Sequence, residues 1–206
     1  MHLVCLDLEG VLIPEIWIAF AEATNTPGLK RTTRDEPDYD KLMRYRIDTL
    51  NRRGFSLPDI QKIIVQLDPL PGAEAFVNWL QSRTRLIILS DTFTQFAGPL
   101  MAKLGYPTLF CNELIVDPSG QIRDYRLRQR DEKRASVNAL RGLKFTVVAA
   151  GDSYNDLSML KAANHGILFR PPACLPAEYP QYPTVHDHDQ LQACIAEQLS
   201  LVEAAE

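Results

Sequence analysis

The sequence predicts an α/β protein with a Rossmann-like, three-layer parallel sheet and a small helical unit inserted after the first strand. The short apolar runs at residues 3–7, 86–89 and 145–149 lack the polar alternation of a strand with one face in water. Segments with helical spacing of apolar residues alternate with these runs, as in sheets that are covered on both faces. Residues 14–70, in contrast, carry only helical patterns.

Length and composition favour a soluble globular protein. The chain has 206 residues, of which 46% are apolar and 23% charged, and its net charge is −4. No basic excess points to nucleic acid, and no apolar run approaches the roughly 20 residues that span a bilayer. The N-terminus lacks the features of a signal peptide, so we expect a cytoplasmic protein. Four widely spaced cysteines argue against a disulfide framework or a zinc site.

The first strand and the insert follow from local signals. Gly10 turns the chain after the strand at residues 3–7. Three helices are predicted in the insert, at residues 14–24, 38–53 and 56–67. Pro14 suits the first turn of the first helix, and Ser56 opens the third with a capping box. Asp38 or Asp40 is the predicted cap of the second helix, and Gly54 its end.

The rest of the chain alternates between helices and strands. Helices are predicted at residues 73–82, 93–104, 133–141, 154–163 and 187–202, and strands at 86–89, 108–110, 145–149 and 166–169. A hairpin of residues 112–116 and 121–127 surrounds the turn signal Asp117-Pro118-Ser119-Gly120. The predicted division is therefore a core domain of residues 1–13 and 71–206 and a helical domain of residues 14–70 inserted into it.

Three polar clusters follow three predicted strands. They are Asp7-Leu8-Glu9-Gly10, Ser90-Asp91-Thr92 and Gly151-Asp152-Ser153-Tyr154-Asn155-Asp156. Ligands of open α/β sheets bind beyond the carboxyl ends of the strands, and parallel strands place all three clusters at that edge. The sequence thus predicts one site built from all three.

Crowded carboxylates at that edge indicate a metal ion. They repel one another and stay ionised only when a cation lies among them. Oxygen ligands suit Mg²⁺. We predict that Asp7 and Asp152 bind Mg²⁺ together with the backbone carbonyl of Glu9.

The same cluster suggests covalent phosphoryl transfer. Asp7 is the candidate nucleophile, since a carboxylate can form an acyl phosphate. Glu9 is the candidate general acid and base, although a supporting role beside the metal is the alternative. Ser90, Thr92 and the backbone N–H groups around Asp91 precede a helix and could hold the phosphate.

The remaining candidates leave alternatives open. Lys133 is the predicted cation beside the phosphate, with Arg134 and Lys144 as rivals. Asn155 could hold the phosphate or the substrate, and Asp156 a metal-bound water. Helix capping is the alternative role for Asn155 and Asp156.

These motifs resemble a known family. Asp7-x-Glu9-Gly10-Val11, Ser90-Asp91-Thr92, Lys133 and Gly151-Asp152-x-x-Asn155-Asp156 resemble the four motifs of the haloacid dehalogenase superfamily. The insert resembles the small cap of its phosphoserine phosphatase branch. The segments around Asp7, Asp152 and residues 32–40 are similar to a bacterial subgroup that is both a phosphoserine phosphatase and a homoserine phosphotransferase.

The resemblance implies a haloacid dehalogenase-like fold, an aspartyl-phosphate on Asp7, and Mg²⁺ as cofactor. It implies phosphoserine as the phosphoryl donor, water or homoserine as the acceptor, and a place in serine and threonine biosynthesis. It is also compatible with a homodimer. The superfamily usually has Asp where this chain has Glu9, but the bifunctional subgroup has Glu there too. Tyr154 is bulkier than the residues common at its position, and its role stays undetermined.

Two substrate contacts are implied by the resemblance alone. Glu15 would bind the ammonium group of the substrate, and Arg46 its carboxylate, for which a guanidinium fork is well suited. The residues themselves do not favour Arg46 over its rivals Arg31, Arg34, Arg44 and Arg52.

Two other functions remain open at this point. The site could hydrolyse another small phosphate ester, such as a sugar or nucleotide phosphate, because the cap rather than the motifs selects the substrate. Alternatively, the chain could be a non-catalytic signalling switch that is phosphorylated on an aspartate.

Overall fold

The computed structural model describes residues 1–33 and 35–203. The strands in these ranges are β1 (His2–Leu6), β2 (Arg85–Phe93), β3 (Thr108–Val116), β4 (Ile122–Arg126), β5 (Thr146–Gly151), β6 (His165–Phe169) and β7 (Thr184–Val185). The α-helices are α1 (Ile16–Ala23), α2 (Tyr39–Arg53), α3 (Leu57–Ile64), α4 (Ala73–Arg83), α5 (Thr94–Lys103), α6 (Glu132–Gly142), α7 (Leu157–Ala162), α8 (Leu175–Glu178) and α9 (His188–Glu203). Short 3₁₀ helices span Pro27–Lys30 and Tyr154–Asp156.

The seven strands form one sheet in the order β4-β3-β2-β1-β5-β6-β7. The pairs from β3 to β7 are parallel, and β4 is antiparallel to β3. The predicted fold class is confirmed. Connections leave β1 and β5 toward opposite sides, so the crevice between these strands is the topological switch point where ligands of such sheets bind.

The side chains of β1 show why the strand reads as an unbroken apolar run. Val4 and Leu6 are fully buried in the cluster that contains α4, α5 and α9, whereas Leu3 and Cys5 are buried in the cluster that contains α6, α7 and α8. Successive side chains of a strand point to opposite faces. Helices therefore cover both faces of the sheet.

Several predicted boundaries were wrong, among them those of β2, β3 and α1. Strand β2 continues through Ser90-Asp91-Thr92 to Phe93, and its pairing with β3 shifts register after Leu89 because this polar stretch bulges. Strand β3 runs without a break from Thr108 to Val116. Helix α1 begins at Ile16 rather than Pro14, since Glu15 has an extended backbone and Ile13 bridges to Glu9.

The predicted signals of the second and third insert helices are confirmed. Asp38 caps α2 by accepting a hydrogen bond from the backbone of Lys41 at 3.2 Å, and Gly54 ends it at φ = +72°. Ser56 and Asp59 form the capping box of α3. These ends keep the insert helices short and separate.

The β3–β4 hairpin lies against the insert. The Tyr125 hydroxyl donates to Asp40 at 2.7 Å, and the Leu57 amide donates to the carbonyl of Gly120 at 2.8 Å. The apolar residues of α1, α2 and α3 join the same buried cluster as those of α4 and α5. The insert is thus closed over the sheet edge, while the division at residues 14 and 70 stays a prediction.

Within the described ranges, no helix combines the length and the apolar character that crossing a membrane requires.

Candidate active site

The ends of β1, β2 and β5 meet in one cavity of about 270 Å³. The sheet edge contributes the predicted residues Asp7, Glu9, Ser90, Asp91, Lys133, Asp152 and Asn155. The insert covers the opposite wall with residues that include Glu15, Trp17, Tyr39 and Arg46. All the predicted site residues therefore line one cavity between the sheet and the insert.

Lys133 connects two of the strand ends. It is 4% exposed and lies at the start of α6. Its ammonium group is 2.9 Å from a carboxylate oxygen of Asp7, 2.7 Å from Asp156 and 3.8 Å from Asp91. Its rivals lie elsewhere: Arg134 is exposed and pairs with Asp131, and Lys144 is exposed after α6.

Asp7, Asp152 and Asp156 form a compact group of carboxylates. Each offers an oxygen within 4.8 Å of the others, and all three are buried. Asp156 is fully buried, and one of its oxygens accepts the backbone N–H groups of Asp152 and Ser153 at 2.9 and 3.1 Å. Hard oxygen donors at this spacing fit a Mg²⁺ ion.

Two glycines permit the close approach of this group. A Cβ on Gly10 would lie 2.6 Å from a carboxylate oxygen of Asp152, and one on Gly151 would lie 2.4 Å from Asp156. Gly10 also has φ = +80°, which the turn after β1 requires. Any side chain at either position would displace a carboxylate from the cluster.

The carboxylates of this group are short of positive charge. Burial raises the pKa of Asp7 well above its usual range, and the nearby Asp156 raises it further, while Lys133 lowers it. Burial also raises the pKa of Asp152 to about 7, with additional effects of Asp156 and Glu15. One lysine is thus insufficient to balance three acids, and a divalent cation would supply the missing charge.

Glu9 occupies a separate position near the start of α1. Its carboxylate accepts the backbone N–H of Ile16 at 2.9 Å. The predicted metal contact uses the backbone carbonyl of Glu9, which leaves the side chain available for another role. Burial raises the pKa of Glu9, while the Ile16 amide and Arg46 oppose this effect. A carboxyl with a raised pKa is suited to donate a proton near neutral pH.

The end of β2 presents hydroxyls to the cavity. The Ser90 hydroxyl accepts the backbone N–H of Thr92 at 3.2 Å. The Thr92 hydroxyl is buried and lowers the pKa of the nearby Glu9 carboxyl. Asn155 donates to the carboxylate of Asp91 at 3.0 Å, which fixes the two predicted substrate residues beside each other.

Arg46 lies on the wall that the insert provides. It is 7% exposed, its guanidinium is 4.6 Å from the ring centre of Trp17, and one of its nitrogens donates to the carbonyl of Arg31 at 2.8 Å. Its Nε is buried without a partner among the described residues. Burial lowers the pKa of Arg46, whereas Tyr39, Glu9 and Glu15 favour its charge.

The structure separates Arg46 from its described rivals. Arg44 and Arg52 are exposed and pair with Asp40 and Asp48 of the same helix. Arg31 is exposed and contacts the ring of Tyr45. Arg34 lies outside the described residues. Of the rival arginines that the structure describes, none lines the cavity together with Arg46.

Sequence reasoning underrated two residues. The capping alternative for Asp156 is confirmed, since it forms a capping box with Ser153 at the 3₁₀ helix Tyr154–Asp156, and its carboxylate also belongs to the buried acidic group. Tyr39 was not selected, yet it lines the cavity, and its hydroxyl donates to the carbonyl of Asp91 at 3.0 Å. The position of Asp156 four residues after Asp152 was a usable signal for the first, whereas no sequence pattern distinguished Tyr39 from other tyrosines.

Comparisons with known proteins agree with this geometry. A profile of the haloacid dehalogenase-like hydrolases matches residues 1–164. The chain is 54% identical to the phosphoserine phosphatase ThrH of Pseudomonas aeruginosa, over 93% of this chain and 94% of that protein. It is 53% identical to a phosphoserine phosphatase of Pseudomonas syringae pv. tomato, over 93% and 81% of the two chains. A substrate-bound phosphoserine phosphatase structure shares the fold, with a TM-score of 0.76, 20% identity, and 95% and 97% coverage.

Proposed function

The chain belongs to the haloacid dehalogenase-like hydrolases, in the phosphoserine phosphatase branch, and from this premise we propose that it hydrolyses phosphoserine through an aspartyl-phosphate on Asp7. The observation that carries the proposal is the shared cavity. Asp7 and Lys133 form its floor, and Arg46 and Glu15 lie on the wall provided by the insert. One cavity thus combines groups for a phosphate with groups for an amino acid.

The first step forms a bond between an oxygen of Asp7 and the phosphorus of phosphoserine. The bond between phosphorus and the serine oxygen breaks, and that oxygen takes its proton from Glu9. Burial raises the pKa of Glu9, which favours the protonated carboxyl that this transfer uses. The products of the step are serine and the phosphorylated side chain of Asp7.

The second step releases the phosphoryl group. Glu9, now ionised, removes a proton from water, whose oxygen bonds to phosphorus as the bond to Asp7 breaks. The products are inorganic phosphate and the original carboxylate of Asp7. Glu9 thereby returns to its protonated form, so the same residue serves as acid and then as base.

Lys133 and the end of β2 hold the phosphoryl group during both steps. The ammonium of Lys133 is already beside Asp7, and Ser90 and Thr92 line the same cavity. Asn155 is fixed through Asp91 within reach of this position. Fixed donors of this kind stabilise negative charge on the transferring group without reorganisation.

The acidic group of Asp7, Asp152 and Asp156 is suited to hold Mg²⁺, together with the backbone carbonyl of Glu9. The buried oxygens and the shortage of positive charge support this assignment. A bound Mg²⁺ ion would neutralise charge on the phosphate oxygens and on Asp7.

Arg46 and Glu15 would select the amino acid. Arg46 lines the cavity, and its guanidinium suits the substrate carboxylate. Glu15 lines the same cavity and supplies the negative charge that the substrate ammonium requires. Sugar and nucleotide phosphates lack this pair of charges, so a buried arginine beside an acid argues against them as substrates.

We further propose homoserine as a second acceptor. Homoserine carries the same ammonium and carboxylate groups as serine, and its hydroxyl would replace water in the second step to give phosphohomoserine. The assignment of the homodimer and of the cytoplasmic location stays a prediction.

One incubation tests the proposal. The protein is supplied with Mg²⁺ and phosphoserine, with and without homoserine, while inorganic phosphate and phosphohomoserine are measured. We expect continuous release of phosphate, which homoserine partly diverts into phosphohomoserine. A single stoichiometric labelling without turnover would support a signalling switch, and turnover of sugar phosphates in preference to phosphoserine would contradict the amino-acid pocket.

A further inference from the structure

The histidine that opens α9 lies against both segments that connect the insert to the sheet. The connecting segments are residues 11–13, which leave the sheet, and residues 70–72, which return to it. His188 is 3% exposed. One ring nitrogen is 2.9 Å from the carbonyl of Val11, and the other is 3.0 Å from the carbonyl of Pro71. Both ends of the insert thus meet on one imidazole ring.

The two connecting segments are also paired with each other. The Leu70 amide donates to the carbonyl of Leu12 at 2.9 Å. Gly72 has φ = +86°, and a Cβ at this residue would lie 3.3 Å from a ring nitrogen of His188. The backbone of the returning segment therefore passes directly over the ring.

The ring itself is fixed from the sides. Its centre lies 4.9 Å from that of Phe169 and 5.4 Å from that of Phe76. Phe169 ends β6, and Phe76 belongs to α4, so elements of the sheet and of its helical layer hold the imidazole. A neutral imidazole has one N–H and donates to one of these carbonyls, whereas an imidazolium donates to both, so the contact is polar and specific in either form.

From this geometry we propose that His188 is a positioning residue, which sets the placement of the insert over Asp7 by holding the carbonyls of Val11 and Pro71 together. It does not touch the reacting atoms. Val11 lies two residues after Glu9, and the outgoing segment continues directly into Glu15 and α1. Release of this contact would shift Glu15 and Arg46 relative to the floor of the cavity.

Three substitutions separate the contributions of the two nitrogens. His188→Asn keeps a donor near the Pro71 carbonyl, His188→Gln keeps one near the Val11 carbonyl, and His188→Leu keeps neither. Leu191→Val is the control for general destabilisation, because Leu191 is a fully buried apolar residue of the same helix and donates no side-chain hydrogen bond.

Hydrogen exchange provides a readout that general destabilisation does not change. The exchange rate of the Leu70 amide is measured relative to the amides of the interior strand β5, which report global unfolding. We expect His188→Leu to raise this ratio by about tenfold, the Asn and Gln variants to raise it less, and Leu191→Val to leave it unchanged. The proposal would be overturned if the exchange rates of the Leu70 amide and of the β5 amides changed by the same factor in all four variants.

The kinetic part of the test rests on the proposed function. His188→Leu should lower kcat/KM for phosphoserine about tenfold, mainly by raising KM. The kcat/KM for an aryl phosphate, which does not use Arg46, should change by less than about twofold. Unchanged phosphoserine kinetics despite faster Leu70 exchange would overturn the positioning role. If the wild-type protein did not turn over phosphoserine, the proposed function would fail, and the exchange ratio alone would decide whether His188 holds the connecting segments.

Discussion

The ammonium group of Lys133 lies 2.9 Å from Asp7, the residue at the end of β1, and both side chains are buried. The same ammonium contacts Asp156 at 2.7 Å, beyond the end of β5. One lysine thus joins the strands on either side of the topological switch point. This contact connects the fold to the proposed chemistry, because it holds a positive charge where the phosphoryl group would be transferred.

Replacement of Lys133 tests the importance of this charge. Lys133→Met should lower kcat/KM for phosphoserine by about 10²- to 10³-fold, since loss of one fixed donor to a transferring group has costs of this order. The control is Arg134→Met, which removes a neighbouring exposed cation paired with Asp131. Equal losses of activity in the two variants, measured by steady-state kinetics, would contradict the assignment of Lys133 to the phosphate site.

Replacement of Arg46 tests the amino-acid pocket. Arg46→Ala should reduce kcat/KM for phosphoserine by about 10- to 100-fold, the range expected for a charged hydrogen bond. Turnover of an aryl phosphate should change much less, because that substrate has no carboxylate to bind. Arg52→Ala provides the control, since Arg52 is exposed and pairs with Asp48. Similar losses for both substrates would argue that Arg46 supports the insert rather than the substrate.

The role of Asp156 in metal binding can be measured without turnover. Asp156→Asn should weaken Mg²⁺ binding by about 10- to 100-fold in titration calorimetry, because it removes a charge from the buried acidic group. Asp131→Asn removes an acid outside that group and serves as the control. Treatment with EDTA should also abolish phosphate release by the wild-type protein, and added Mg²⁺ should restore it. Wild-type affinity in the Asp156 variant would remove this residue from the metal site.

The turn between β3 and β4 predicts a pH dependence of stability. Asp117 accepts hydrogen bonds from the Ser119 hydroxyl, from backbone amides and from Arg123, and these partners lower its pKa to about 2. The folded pKa lies below the usual value, so the stabilisation is present above about pH 4 and is lost as the pH falls toward 2. Urea unfolding should show that Asp117→Asn has a lower free energy of unfolding than the wild type at pH 6. The difference between the two free energies should become smaller as the pH falls.

A second variant separates the contributions in this turn. Ser119→Ala removes the donor with the largest effect on the pKa of Asp117 and should show part of the same dependence. The role of this carboxylate would be contradicted if Asp117→Asn and the wild type differed in free energy of unfolding by the same amount at pH 6 and pH 3.5.

The sheet was predictable because its strands are buried on both faces. Val4 and Cys5 lie in the buried clusters on opposite faces of the sheet, and both are apolar. Because both faces are buried, the sequence of β1 is a continuous apolar run, from which the strand could be predicted. The end of β2 was not predictable. Ser90 and Asp91 read as a loop, and only their bulged pairing with β3 keeps them in the strand.

The site was predictable where chemistry depends on position along a strand. Asp7 and Asp152 could be placed together because parallel strands end at one edge. Tyr39 and His188 could not, since their contacts with Asp91, Val11 and Pro71 join segments that are far apart in the chain. Such contacts depend on how the insert and α9 close on the sheet, which no local pattern encodes.

Trapping of the covalent intermediate tests the central proposal most directly. The protein is mixed with Mg²⁺ and phosphoserine labelled on phosphorus, quenched in acid after one turnover time, and digested for mass spectrometry. We predict that the label is found on the peptide that contains Asp7, at the side chain of that residue, and that Asp7→Asn shows neither label nor turnover. Label on another residue, or sustained phosphate release by Asp7→Asn, would contradict the account.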